Sequence, residues 1–577
     1  MSRALFVAVG LILGGNAALT AQPPPPPPPI RIDMPAGGQI AIQPGGVPQM
    51  PPRDNSAPPK TGKAIIRGRV VAADTGQPLR KAQVRLMSAE LRENRMMTTD
   101  AEGRYEFKEL PAGRYTVQAG KGSYVQLQYG QLRPFEPGKP LEVLEAQTVE
   151  KIDFALPKGG VVTGRILDEF GEPLADTQVA AMRYQNVGGT RRLMPAGRPA
   201  MTNDIGEFRL FAIPPGQYYL SATLRNFGMG DNDDRSGYAP TYFPGTANLA
   251  EAQRLTVGLG QTLSDVNIQL MTTRTARVSG TAVDSQGRPM MGMVMAMPRG
   301  ESLMMMFGPP NQIKPDGSFS IGGLAPGAYI LQTQGGFGGA DGESASLDIT
   351  LSGDDVDGIR LVGSKPSVAS GRVIVATGVV GAPQPSAIRL MFQPVTFDRP
   401  MFGGSGPGIV NDDFTFELKT RPGKMRLQLV GPASGWSIRS VRYRGQEITD
   451  AGYEFRANEN VSDLEVELTN RETTLSGLVT NDRGAPARDY AVIVFPRDRE
   501  KWSVGMRYLK TARPDQEGRF KVSGLPPGDY YAIALDYVDS SEWMEPEYLD
   551  RARSNASDVT LNDGETKSLD LRLKTIS

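Results

Sequence analysis

The chain has 577 residues, 63 basic and 63 acidic side chains, and neither His nor Cys. Balanced charge sets up no global field toward nucleic acid or anionic lipid, so no nucleic-acid partner is expected. Disulfides, a thiolate nucleophile, a Ser-His-Asp triad and His-ligated zinc are all excluded, leaving carboxylate pairs, a Ser-Lys dyad or an all-oxygen metal site as the remaining catalytic routes.

From the N-terminus, residues 1–21 read as a secretory signal peptide: Arg3 supplies the charge, 5–13 the apolar core and 17–21 the small-residue cleavage zone. The apolar run is too short to span a bilayer. Cleavage after Ala21 leaves an exported protein, periplasmic or extracellular, with no transmembrane segment. Residues 22–62 form a Pro-rich disordered linker. Pro23 to Pro29 are seven consecutive prolines, expected to form an extended polyproline II spacer or a docking ligand.

Five β units follow: 63–158, 159–273, 274–364, a divergent 365–470, and 471–577. Each opens with an apolar strand around a central Gly, at 68, 164, 280, 371 and 477. Their spacings of 96, 116, 91 and 106 residues suit sandwich domains rather than solenoid turns. A Gly-x-Pro turn comes next in four of them, as in TGQPL and FGEPL. A recurring phrase then runs on a fixed ruler. Gly103 is followed by Gly113 and Tyr115, ten and twelve residues on. Gly206 leads likewise to Gly216 and Tyr218, Gly317 to Gly327 and Tyr329, and Gly518 to Gly528 and Tyr530. In the fourth unit Asp413 stands in the first Gly place, Gly423 is kept, and Met425 replaces Tyr. Residues 247–255 and 546–554 can each hold a helical turn or two.

The ruler has a physical reading. The first Gly permits positive φ at a hairpin, and the aromatic two residues later points inward on an alternating strand. Pro and the second Gly set a further turn, for which positive φ is expected at Gly113, Gly216, Gly327 and Gly528. The closing Tyr buries its ring while its hydroxyl bonds nearby backbone.

These motifs, with G-x-P-L and L-P-x-G-x-Y among them, resemble the carboxypeptidase regulatory-like family, small Greek-key sandwiches similar to transthyretin and to starch-binding-like folds. Asp100 and Asp515 keep a three-residue spacing to Gly, whereas Asp204 and Asp316 sit closer, so those two turns are expected to differ. The resemblance implies an all-β tandem array of about five Greek-key β-sandwich domains and a non-catalytic role. It implies no cofactor. The first strands carry no Lys within the apolar run, so the isopeptide crosslink of adhesin-type repeats is not expected.

Three features offer ligand chemistry. Met293, Met295 and Met297 align with Ala82, Val84 and Leu86 of the first unit, as core packing or as soft ligands for Cu(I); Met304, Met305 and Met306 follow closely. Asp231-Asn232-Asp233-Asp234 and the loop Asp354, Asp355, Asp357 are acidic, but neither keeps a calcium-loop pattern. Trp502, Trp543 and Tyr242 lie where loop aromatics could stack on sugars, or pack into the protein. The expected function is therefore an exported, non-enzymatic scaffold or binding protein with an extracellular glycan or envelope protein as partner. The alternatives are a carbohydrate-binding protein using loop aromatics and a carboxylate-only enzyme.

Overall fold

The computed structural model describes residues 30–33, 39–42 and 61–575, except 89–90, 92–93, 134, 188–189, 225–235, 300–310, 335–341, 396–405, 431–434 and 505–506. The signal peptide, the polyproline run, Asp231 to Asp234 and Met304 to Met306 lie outside the described residues. Two compact units are present, 1–59 and 60–577. In the first, Ile30–Asp33 pairs antiparallel with Gln39–Ile42 inside the segment read as linker.

The second unit is all-β: the protein is 54% strand and 4% helix, spread over many separate sheets. Its strands fall into five sets: four are two-sheet sandwiches, and in the fifth the two layers join through Leu571–Lys574 into one eight-stranded sheet. In the first set, the opening strand Ala64–Ala72 pairs antiparallel with Arg104–Leu110 and parallel with Phe154–Leu156. The second sheet joins Gln83–Met87 to Gly113–Gly120. The same order repeats around Gly160–Leu167, Ala276–Val283, Ser367–Val375 and Thr474–Thr480. Between each pair of sheets lies an apolar core, and the phrase aromatics Tyr105, Phe208, Phe319, Phe416 and Phe520 are all buried in them.

The central glycines have one cause. The last strand of each sandwich bulges beside the opening strand, and its carbonyl comes against the glycine. A Cβ at Gly68, Gly164, Gly371 or Gly477 would sit 2.0 Å from the carbonyl oxygen of Ile152, Val266, Leu464 or Leu569, and one at Gly280 would sit 1.9 Å from that of Ile359. No side chain fits there. In three sandwiches the amide after the glycine is met instead by a side chain: Asp153, Asn267 and Asp570 each accept it at 2.8 Å.

The ruler's first half is as expected. Gly103, Gly206, Gly317 and Gly518 hold φ of 76°, 70°, 84° and 81°. Its second half holds for Gly327 and Gly528, whose φ is positive, and not for Gly113 and Gly216. Gly113 and Gly216 lie outside the left-handed region, while Gly327 and Gly528, at 153° and 156°, sit at its extended edge. The turn is closed by the tyrosine. The hydroxyls of Tyr115, Tyr218, Tyr329 and Tyr530 donate to the carbonyls four residues back, Pro111, Pro214, Ala325 and Pro526, at 2.6, 2.7, 2.8 and 2.7 Å.

Two turn readings also shift. Asn203, not Asp204, caps the second unit's hairpin, accepting the Glu207 amide at 2.7 Å as Asp100 accepts that of Arg104. That turn therefore matches the first unit's rather than differing from it. In the fourth unit the left-handed position is Phe414, φ 64°, rather than Asp413. Its carbonyl receives the Val373 amide as the Gly103 carbonyl receives that of Val70. Helical structure is sparse among the described residues: 3-10 turns at Leu249–Glu251, Pro385–Ala387 and Arg499–Val504, and an α-helix at Pro546–Arg553.

Candidate functional site: a junction of three sandwiches

Trp502 and Trp543 are enclosed rather than presented at loop ends. Trp502 is 2% exposed and Trp543 3%. Both belong to a second apolar cluster on the outer face of the fifth sandwich, with Ile493, Phe495 and Leu549 of the α-helix. Strand Ala491–Pro496 is buried on both faces for this reason. The Trp502 indole N–H donates to the Pro496 carbonyl at 2.7 Å. Tyr242 is half-buried and packs on a cluster formed by Ala180, Met182 and Leu193 on the second sandwich.

The methionines are out of the assumed register by one residue. Val294 and Ala296 face the third sandwich's main core. Met295 and Met297 point to the other side, buried with Ile330. Met293 is half-buried, so the three thioethers do not present an open set of soft ligands. Among the described residues, no group of three or more His, Cys, Asp or Glu could hold a metal ion. The acidic loop is occupied internally: Asp354 pairs with Arg274 at 3.2 Å, Asp355 accepts the Arg277 amide at 3.0 Å, and Asp357 accepts the Ser279 hydroxyl at 2.6 Å.

A different constellation stands out, where the fifth sandwich packs back on the first and second. Phe135, from a loop of the first sandwich, sits against the core of the second. A Cβ on Gly216 would lie 3.5 Å from its ring. Over the ring lies the Arg183 guanidinium, 3.7 Å from the centroid. Arg183 also pairs with Asp539 of the fifth sandwich at 2.5 Å, the two side chains only 13% and 9% exposed. The Phe135 carbonyl accepts from the Ser540 amide at 2.9 Å and from its hydroxyl at 2.5 Å. Ser541 accepts the Asn186 amide at 3.2 Å. Arg191 pairs with Glu545 at 3.4 Å, and burial raises the Glu545 carboxyl above its ordinary range, against the pull of Arg191.

A second buried pair lies beside it. Arg513 of the fifth sandwich reaches Glu136 of the first at 3.5 Å, both side chains 1% exposed. Arg513 donates as well to Asp489 at 2.5 Å and to the Gly130 carbonyl at 3.3 Å. Lys139 meets Asp489 at 3.3 Å and donates to the Arg488 carbonyl at 2.8 Å. Positive and negative charges thus balance inside the contact, which a buried ion pair requires. Phe135 was not foreseen from sequence. It lies in a loop outside the ruler, and no local pattern marks a residue whose partners are 48 and 405 positions away.

The described residues contain no helix long and apolar enough to cross a membrane. Residues 65–157 match the family model of the carboxypeptidase regulatory-like domain, so the first sandwich is a domain of that kind. No curated protein matches the chain. Among solved structures, the chain is similar to the TIE protein of Bacillus anthracis, at 11% identity, covering 73% of this chain and 74% of that one, with a TM-score of 0.15. A streptococcal ancillary pilin is similar at 15% identity over 52% of this chain and 99% of its own, TM-score 0.19. The major pilin subunit BcpA of Bacillus cereus is similar at 10% identity over 52% and 99%, TM-score 0.15. Values this low transfer neither an arrangement nor a role to this chain.

Proposed function

We propose that the protein is an exported, non-enzymatic scaffold whose five sandwiches form one platform for binding outside the cytoplasm. One observation carries the reading: the buried contact through Phe135, Arg183 and Asp539 ties the last sandwich to the first two. A string of independent modules needs no such contact. Interfaces between independent domains are ordinarily polar and permit relative motion. Here desolvated ion pairs, a cation–π stack and backbone hydrogen bonds meet at one place, and separation would strand charges.

Two sequence features support export and the absence of chemistry. The leader reads as a signal peptide, and the chain offers no His or Cys. The hydroxyls of the ruler tyrosines are committed to backbone carbonyls, which supports a structural role for the repeated phrase. A cell-envelope partner fits this picture. The test is a pull-down from native cell-envelope extract, using the full chain and an Arg183→Met, Arg513→Met variant. A platform predicts a specific envelope component retained by the wild type and lost or weakened in the variant. Equal retention by both, or a wild-type protein that retains nothing, contradicts it.

A further inference from the structure

A cleft of about 830 Å³ opens between the fourth and fifth sandwiches. Its wall carries more cations than acids: Arg426, Arg439, Arg471, Arg507 and Lys510, against Glu472 and Asp563. Some of this charge is met locally. Arg471 pairs with Asp563 at 3.3 Å, Arg439 with Glu467 at 3.7 Å, and Arg507 with Asp450 at 3.4 Å. Asp450 is shared further: it accepts the Tyr508 hydroxyl at 2.5 Å and lies in the field of Arg426. Lys510 makes no ion pair with any described residue. Burial disfavours the charged forms of both Lys510 and Arg426. Lys510 is therefore a desolvated cation of the cleft that no carboxylate among the described residues pairs with, and an entering anion would offset that cost.

The rest of the lining narrows the class of anion. Trp436 and Met544 give the cleft an apolar surface, and Trp436 is only half-buried, unlike the other two tryptophans. Gln428 and Asn470 add amide groups suited to hydroxyl partners. The volume is that of a site for an organic ligand, far larger than an inorganic anion needs. An aromatic face, amides for hydroxyls and a cationic end together match a sugar ring bearing a carboxylate.

We propose that this cleft binds an acidic oligosaccharide, with a uronate carboxylate beside Lys510 and a sugar face on Trp436. The inference rests on the reading of the chain as a binding platform. It moves carbohydrate recognition away from Trp502 and Trp543, which are enclosed, to Trp436, which lines this cleft.

Calorimetric titration of the purified full chain tests it, with tetragalacturonate as probe. A neutral tetrasaccharide, tetraglutamate and inorganic phosphate are run in parallel. Binding of the uronate alone is expected, weakening with added salt. Lys510→Met should reduce the affinity at least tenfold with an unchanged or higher thermal midpoint, since it removes a desolvated charge. Trp436→Ala should reduce it as well; if that variant unfolds, Lys510→Met decides. Absence of uronate binding, or an affinity unchanged in Lys510→Met, overturns the proposal. Equal binding of tetraglutamate overturns it in favour of an acidic peptide, and equal binding of phosphate in favour of a small anion. None of these outcomes touches the junction, so the platform reading is judged separately by the pull-down.

Discussion

The Arg183 guanidinium lies 3.7 Å from the centre of the Phe135 ring, and the two residues belong to different sandwiches. Arg183 holds Asp539 of a third sandwich with the same group. A single side chain thereby couples parts of the chain that are hundreds of residues apart. Coupling between Arg183 and Phe135 should be measurable in a double-mutant cycle with Arg183→Met and Phe135→Leu. We expect about 1–2 kcal/mol in denaturant unfolding, the range of a desolvated cation–π contact. Simple additivity would mean that the stack contributes nothing.

Removing one partner of the ion pair should cost more than removing both. Arg183→Met leaves the Asp539 carboxylate buried beside its remaining partners, the Ser541 amide and hydroxyl and the Tyr537 hydroxyl. A loss of about 3 kcal/mol is expected. The double variant with Asp539→Leu should recover part of that loss. A double variant as unstable as the sum of the two single ones would count against a paired, desolvated contact.

The central glycines make a sharper prediction than the turn glycines. At Gly477 a Cβ would meet the Leu569 carbonyl oxygen at 2.0 Å, which is backbone and cannot swing away. Gly477→Ala should cost roughly 3 kcal/mol or more, through displacement of the last strand. Gly518→Ala, at φ 81° with its nearest atom at 3.6 Å, should cost only about 1–2 kcal/mol. Thermal melts of both variants decide, and the reverse ranking would refute the close-approach account.

Much of this architecture was legible in the sequence, because its causes are local. Left-handed φ at Gly103 and its equivalents, inward aromatics two residues later, and a tyrosine closing the turn all follow from neighbours within a dozen positions. The central Gly was visible as a repeat, but its reason lies in a bulge 79 to 102 residues downstream. The methionine register failed because Met295 and Met297 fill the outer face of a strand whose inner face carries Val294 and Ala296. Both faces are apolar there, so alternation gave no sign of which was which. The same doubling at Ala491–Pro496 hid the burial of Trp502 and Trp543. The junction was not legible at all, since it pairs residues of three sandwiches.

Trp502→Ala should act on stability and not on sugar binding. The ring is enclosed and its N–H is bonded to the Pro496 carbonyl. A loss of about 3–5 kcal/mol is expected from the cavity. Wild-type binding to tetragalacturonate by a folded Trp502→Phe variant would agree, and a selective loss of binding in that variant would not.

The ruler tyrosines predict alkaline sensitivity. Burial pushes Tyr218 and Tyr329 up to about 12. A free tyrosine ionises near 10. A raised folded value means that the neutral ring is favoured in the folded state. Its contribution is fully present below pH ~10 and is lost as the pH climbs toward ~12. Phenolate absorbance should therefore rise in two stages, the second coinciding with loss of tertiary circular dichroism. A single stage near pH ~10 with the fold intact would contradict the buried corners.

The most direct test of the closed platform is a distance. The chain has no Cys, so two spin labels can be placed without background, at Met201→Cys in the second sandwich and Ser557→Cys in the fifth. Pulsed electron–electron measurement should give one narrow distance distribution in the otherwise wild-type chain, and a broad one once Arg183→Met and Arg513→Met are added. A broad distribution in the wild-type background would mean that the fifth sandwich does not stay on the first two, and the platform account would fail.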